Sequence, residues 1–198
     1  MLLRTLESVA GAAVLCLFLT TCSAIRIETG QTEEEAIESA EDQAGHIRAQ
    51  FADQIGRGTP VDQAGLLIRH IDTTAARYIL FGHEVAREWR EGNQGRGREV
   101  PDAEMREVVA AWTRRQGPIL TAWEDNLEFG LRTVRESRHF APDFLELLDE
   151  LADQYYKVYS AVLYPSGSVE DYELAVEQAR QVIELLSRRC RLELEKYR

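Results

Sequence analysis

Residues 61–89 read VDQAGLLIRHIDTTAARYILFGHEVAREW. Apolar or small side chains recur there at spacings that alternate between three and four: Val61, Ala64, Ile68, Ile71, Ala75, Tyr78, Gly82, Val85 and Trp89. Because an α-helix has about 3.6 residues per turn, this spacing places all of them on one face. Leu67, Ile79 and Phe81 widen the apolar side, so we expect this helix to pack against several neighbours.

The segment before this stretch has the start and stop signals of another helix. Thr32 and Glu35 have the spacing of a capping box, and residues 33–35 are all glutamates, which the positive end of a helix dipole favours. Residues 56–59, Gly-Arg-Gly-Thr, predict its end. Pro60 then suits the first position of the next helix, which we expect to fade in a glycine-rich loop over residues 91–98.

Three more helices are predicted after that loop. Pro101 begins the first of them, which carries its apolar stripe to about His139. Pro118 lies in its middle, and because the apolar phase continues across this proline we predict a kink between two collinear halves. A turn at residues 140–143 leads to the second of them, which ends at residues 164–167.

Ser168 is a good N-cap for the last helix, whose apolar stripe includes the lone body cysteine, Cys190. Helices joined by short connections pack as antiparallel neighbours. The sequence therefore predicts an all-α fold: an elongated, antiparallel up-and-down bundle of four main helices with the acidic N-terminal helix laid alongside. Residues 32–198 would form this single domain.

The length, net charge and cysteine content limit the classes of function that this chain can have. The chain has 198 residues and a formal net charge of −11, which suits one domain and argues against binding to nucleic acid. Of the three cysteines, Cys16 and Cys22 lie near the N-terminus, so a disulfide framework within the body is excluded.

The N-terminal segment has the features of an export signal. Seventeen residues, Val9 to Ile25, carry no charge, and the most apolar part spans residues 10–19. An apolar stretch of about 7–15 residues followed by small side chains is typical of a secretory signal peptide. Residues 1–21 are therefore predicted to be the signal peptide and residues 22–31 a polar tether.

The tetrapeptide Leu19-Thr20-Thr21-Cys22 resembles the lipobox of bacterial lipoproteins. In that class the cysteine thiol is acylated before cleavage, so the resemblance implies that Cys22 is the lipidated N-terminus and the attachment to the membrane. Thr21 departs from the small residue usual before the cysteine. Ser23 after the cysteine, in place of aspartate, implies sorting to the periplasmic face of the outer membrane. Two alternatives stay open: secretion with a cut after Ala24, and an uncleaved signal anchor in the inner membrane, since seventeen residues reach the lower limit for spanning.

Catalytic and metal-binding patterns are sparse. Glu136 and His139 have the spacing of one half of a di-iron motif, but no second copy exists in the chain. The acidic residues Glu146, Glu150 and Asp153 alternate with the apolar stripe, as on a solvated face. The sequence predicts no enzyme, no catalytic residue, no metal site and no cofactor.

Aromatic residues give the only candidate ligand site. Trp112, Trp123 and Tyr155 lie on or beside the apolar stripes, and between helices such residues can line a ligand cavity. Two functions follow. The first is a membrane-tethered, non-enzymatic binding or scaffold protein of the cell envelope with a protein partner there. The alternative is a bundle that binds a ligand or a metal in an aromatic-lined interior.

Overall fold

The computed structural model describes residues 32–96 and 102–198. Apart from short connections, these residues are helical, and no strand occurs among them, so the all-α prediction is confirmed. The five helices are α1 (Glu33–Arg57), α2 (Pro60–Arg96), α3 (Asp102–Glu136), α4 (Pro142–Leu163) and α5 (Val169–Leu194). A 3-10 turn, Glu195–Tyr197, follows α5.

Two capping boxes begin helices where the sequence predicts them. At α1 the Thr32 N–H donates to Glu35 Oε2 at 2.8 Å, and the Glu35 N–H donates to the Thr32 hydroxyl at 3.3 Å. At α5 Ser168 and Asp171 exchange the same pair of bonds, at 3.2 and 3.1 Å. Each box gives a side-chain acceptor to two backbone N–H groups that would otherwise lack partners at the first turn.

Helix α2 is the centre of the packing. It contacts each of the other four helices, as its wide apolar side predicts, and its 37 residues extend over about 55 Å. Helix α1 packs mainly against α3, and α5 packs against α4 and α2. Thr32–Arg198 forms one compact unit by its own contacts. The apolar stripe of α2 is buried almost throughout, including Ile68, Ile71 and Trp89.

Helix α3 is continuous across Pro118. The missing hydrogen bond at this proline does not divide the helix, and the kink between its two halves stays a prediction. Gly117 has no atom within 4 Å of the position its Cβ would occupy, so the turn before the proline has space around it.

Two predicted boundaries are wrong. Helix α2 continues through Glu91 to Arg96, so the first six residues of the predicted loop at 91–98 are helical, and residues 97–98 lie outside the described residues. Glycine lowers helix propensity by about 1 kcal/mol, which does not break a helix whose preceding turns are fixed by buried side chains such as Trp89. Helix α3 ends at Glu136 because Arg138 adopts a left-handed backbone, with φ of 52°.

Candidate functional site

Tyr78 of α2 is the centre of an aromatic cluster between three helices. Its ring centroid lies 5.6 Å from that of Trp123 on α3, and 5.8 and 5.4 Å from those of Tyr155 and Tyr159 on α4. All three contacts are edge to face, the geometry that aromatic quadrupoles favour. The cluster therefore joins α2, α3 and α4 through ring packing.

Two hydroxyl groups inside this cluster lack a hydrogen bond. The Tyr155 hydroxyl lies near those of Tyr78 and Thr74, but neither Tyr78 nor Tyr155 has a partner at hydrogen-bonding geometry among the described residues. Thr74 instead donates to the His70 carbonyl at 2.8 Å. Burial raises the pKa of Tyr78 and of Tyr155, so both phenols stay protonated at neutral pH.

A cation and a histidine border the cluster on the α3 side. The Arg77 guanidinium carbon lies 5.2 Å from the centroid of the Trp123 ring. His70 Nε2 lies 2.9 Å from the Trp123 carbonyl oxygen, and the His70 ring packs against Phe51 of α1. Burial lowers the pKa of His70 below its usual value of 6.5, so the ring is neutral and Nε2 donates to the carbonyl.

Trp112 lies apart from this cluster. Its ring stacks on Phe81 with centroids 3.9 Å apart and an interplanar angle of 15°. Trp123 and Tyr155, by contrast, both contact Tyr78. Of the three residues predicted to bind a ligand, the structure brings two together and places the third against a different partner; all three side chains are buried against protein.

A surface cavity of about 450 Å³ lies at the end of the unit where α2 begins and α5 ends. Its lining is Thr59, Pro60, Val61, Asp62, His139, Tyr197 and Arg198. The Thr59 hydroxyl donates to Asp62 at 2.6 Å, which lowers the pKa of Asp62, and Arg198 pairs with Glu195 at 2.6 Å. The Tyr197 hydroxyl accepts from the Ala141 N–H at 3.1 Å. These polar groups therefore bond to the protein itself.

Metal-ligand clusters do not form within the described residues: no three His, Cys, Asp or Glu side chains come together there. His139 is exposed beside Phe140 and Tyr197, past the end of α3. Glu146, Glu150 and Asp153 are exposed on α4, and Glu150 is within 3.9 Å of Arg189 on α5.

Cys190 is buried on the inner face of α5, in agreement with the interpretation that it acts as a small apolar side chain. Its Sγ lies 3.5 Å from the Leu147 carbonyl oxygen, and burial raises the pKa of its thiol to about 12. Cys22 and the rest of the lipobox-like tetrapeptide lie outside the described residues.

The sequence reasoning missed the outer face of α5. Four large apolar side chains are exposed on this helix: Leu174, Val182, Leu185 and Leu192. The signal was present, because a helix advances about 100° per residue and the three leucines fall within about 20° of one another, opposite the stripe that contains Ile183. The strong inner stripe concealed this weaker outer one.

Comparison of the chain with protein-family models, with curated proteins and with solved structures gives no match. Within residues 32–96 and 102–198, none of the helices combines the length and the apolar character that crossing a membrane requires.

Proposed function

We propose that this protein is an exported, non-enzymatic scaffold of the bacterial cell envelope, tethered to the membrane through a lipidated Cys22. The support for the tether is the apolar segment at residues 10–19 and the lipobox-like sequence that ends at Cys22. Ser23 supports a position on the periplasmic face of the outer membrane, and the polar residues 22–31 would link the lipid to the helical unit.

The scaffold would be an elongated, antiparallel up-and-down bundle of four main helices with α1 alongside. Contacts between helices support these directions. Arg48 of α1 pairs with Asp125 of α3 at 2.7 Å. Nearer the start of both helices, Glu33 of α1 pairs with Arg114 of α3 at 3.6 Å. Helices α1 and α3 would therefore run in the same direction.

Other pairs support the opposite direction for sequential neighbours. Going from Leu67 to Phe81 along α2, the contacts on α3 move back from Gly130 to Trp112. Going from Leu147 to Val162 along α4, the contacts on α5 move back from Cys190 to Tyr172. The connections after α2 and after α4 would therefore reverse the direction of the chain.

One observation favours a scaffold function over ligand binding. The aromatic side chains that would line a ligand cavity, Trp112, Trp123 and Tyr155, are covered by protein, while large apolar side chains such as Leu185 and Leu192 are on the outside of α5. Apolar surface left in water favours association with another surface over uptake of a guest inside.

The tether is tested by replacing Cys22 with alanine in the full chain, expressed in a two-membrane bacterium. We expect the wild-type product in the outer-membrane fraction with a mass that corresponds to residues 22–198 plus acyl groups. Cys22→Ala should accumulate unprocessed or leave the membrane. Cys16→Ala is the matched control, because Cys16 lies in the apolar segment but outside the lipobox-like tetrapeptide and is not the residue that would be acylated.

Three results would contradict the lipid tether. A Cys22→Ala product that stays in the inner membrane at its unprocessed mass would identify a signal anchor. A wild-type product without acyl groups that begins at Ile25 would identify ordinary secretion. Wild-type protein in the cytosol would refute export altogether.

Ligand binding remains the second candidate because of one observation. The buried hydroxyls of Tyr78 and Tyr155 lack hydrogen bonds among the described residues, and an unsatisfied buried polar group costs about 1–3 kcal/mol. A small polar guest beside Trp123 would remove that cost. Native mass spectrometry of the purified mature protein tests this function: a stoichiometric small molecule that Tyr78→Phe/Tyr155→Phe abolishes would support it.

A further inference from the structure

Exposed apolar side chains recur over about 27 Å along the outer face of α5, with the polar side chains of Gln178 and Gln181 between them. They are Leu174, Val182, Leu185 and Leu192, which are 56, 43, 58 and 66% exposed. Leu174 and Leu192 are eighteen residues, or five helical turns, apart and therefore point in the same direction. The opposite face of the helix packs against α4 and α2, so α5 is apolar on two sides.

The charges of α5 are divided between its two ends. Its first half, residues 169–181, has four carboxylates and one basic residue: Glu170, Asp171, Glu173 and Glu177, with Arg180. Residues 182–198 have five basic residues and three acidic ones: Arg188, Arg189, Arg191, Lys196 and Arg198, with Glu184, Glu193 and Glu195. The first half therefore has a formal charge of −3 and the rest a formal charge of +2.

We propose that the outer face of α5 binds the outer face of α5 in a second copy of this chain, with the two helices antiparallel. The division of charge supports this partner, because antiparallel pairing puts each acidic half against a basic end. Parallel pairing would put acidic against acidic and basic against basic. Antiparallel helix dipoles favour the same orientation. This inference rests on the scaffold function and names its partner.

The positions of the leucines fix the register. A two-fold axis at the level of residue 183 places Leu174 against the Leu192 of the other copy, and Leu192 against its Leu174. Leu185 then lies beside the Gln181 of the other copy near the axis, and Glu177 lies within about one residue of the level of its Arg188, on the same flank of the pair. A two-fold interface uses the same patch on both copies, so one helix face is sufficient to form it.

A lipid surface is a poorer occupant of this face. Helices that lie on membranes have polar faces rich in lysine and arginine, which attract anionic lipid headgroups. The first half of α5 is acidic around Leu174 and would be repelled by such headgroups. The antiparallel copy, in contrast, offers basic side chains at that end.

Disulfide cross-linking in native membranes tests the partner and the orientation together. Two full-length copies with different tags, one Leu174→Cys and the other Leu192→Cys, are expressed together and oxidised. We expect the mixed dimer that carries both tags, and only traces of cross-linking when either variant is expressed alone, because Leu174 and its symmetry mate would be about 27 Å apart. Cys190 is buried and stays out of the reaction.

Other outcomes overturn the proposal. Cross-linking of Leu174→Cys to itself would indicate a parallel pair. No cross-link in any combination would refute the second copy, and protection of the introduced thiols by vesicles of phosphatidylethanolamine and phosphatidylglycerol would then assign the face to lipid. Membrane fractionation of the same cells separates the two proposals: membrane-bound protein without a cross-link contradicts only the dimer, and cytosolic protein contradicts the scaffold.

Exchange of two charged side chains tests the register in the same pair of copies. In the cross-linking pair of copies, Glu177→Arg or Arg188→Glu alone should remove most of the mixed dimer, and the two changes together should restore it, as coupled residues do in a double-mutant cycle. Leu80→Glu, at an exposed apolar position of α2, is the matched control and should leave the yield unchanged. Equal loss in the single and double variants would contradict the proposed register, provided that circular dichroism shows each variant to be folded.

Discussion

Ile183 and Leu185 are two residues apart on α5 and face opposite sides of the helix. Ile183 is 3% exposed, and Leu185 is 58% exposed. Their side chains are isomeric and point about 200° apart around the helix axis. Two side chains with the same atoms therefore have different environments: Ile183 is part of the buried core, and Leu185 is on the outer surface of the helix.

Ile183→Asp should unfold the helical unit at neutral pH. An unpaired carboxylate on the inner face of α5 loses its hydration without gaining a partner, which costs about 4 kcal/mol or more. Leu185→Asp is the matched control and should change the free energy of unfolding by about 0.5 kcal/mol in dilute solution, the usual range for a surface site. Urea unfolding followed by circular dichroism measures both. Similar midpoints for the two variants would show that the inner stripe is not buried.

Gly82→Ala should destabilise the bundle, and Gly45→Ala should stabilise it. A Cβ at Gly82 would lie 3.2 Å from methyl groups of both Val162 and Val176, which are buried and stiff at χ1. A Cβ at Gly45 meets nothing within 4 Å, so only the gain in helix propensity remains, about 0.5–1 kcal/mol. Thermal unfolding of the two variants tests the contrast. A rise in melting temperature for Gly82→Ala would mean that α4 and α5 can move away from α2.

Stability should fall as the pH falls below 6.5, in part because of His70. Burial lowers the pKa of His70 in the folded state below the value of 6.5 that it has when unfolded. Below pH 6.5 the unfolded chain therefore binds more protons, so the stabilisation present above that pH is lost as the pH falls towards the folded pKa. His70→Gln keeps a donor for the Trp123 carbonyl and should flatten the pH dependence between 6.5 and the folded pKa. Urea unfolding at a series of pH values measures the slope, and equal slopes in the two proteins would contradict this role.

Cys190 should react with a thiol reagent only after unfolding. Burial raises the pKa of its thiol to about 12, so at pH 8 very little thiolate is present, and the side chain has no exposed surface. The rate of reaction with Ellman's reagent should therefore rise by orders of magnitude in denaturing urea. The Leu192→Cys variant provides an exposed thiol on the same helix as a positive control. Rapid reaction of Cys190 in the native protein would show that the helix end opens readily.

The helices and their inner faces could be predicted from the sequence because the signals are local. Thr32 with Glu35 and Ser168 with Asp171 fix helix starts within one turn, and apolar spacings of three and four identify the face that is buried. The end of α2 was harder to predict, since the glycines after Glu91 weaken a helix without ending it. The end of α3 depends on the left-handed backbone of Arg138, a residue type with no preference for that conformation.

Only some of the residues of the aromatic cluster, and not their contacts, could be predicted from the sequence. Trp123 and Tyr155 were recognisable as aromatic residues on stripes, but Tyr78 as their common contact, and Trp112 as the partner of Phe81, depend on which helices are adjacent. Apolar stripes on five helices are chemically alike, so periodicity does not specify how they pair.

The sequence by itself determined that this chain forms helices, where most of them begin, and which side of each one is apolar, because those properties depend on residues within one or two turns. Only the tertiary structure decided that α1 packs on α3 and that the outer face of α5 is left exposed. These outcomes depend on side-chain shape across residues far apart in the chain, such as Gly82 against Val162 and Val176, where removal of a side chain brings three helices together.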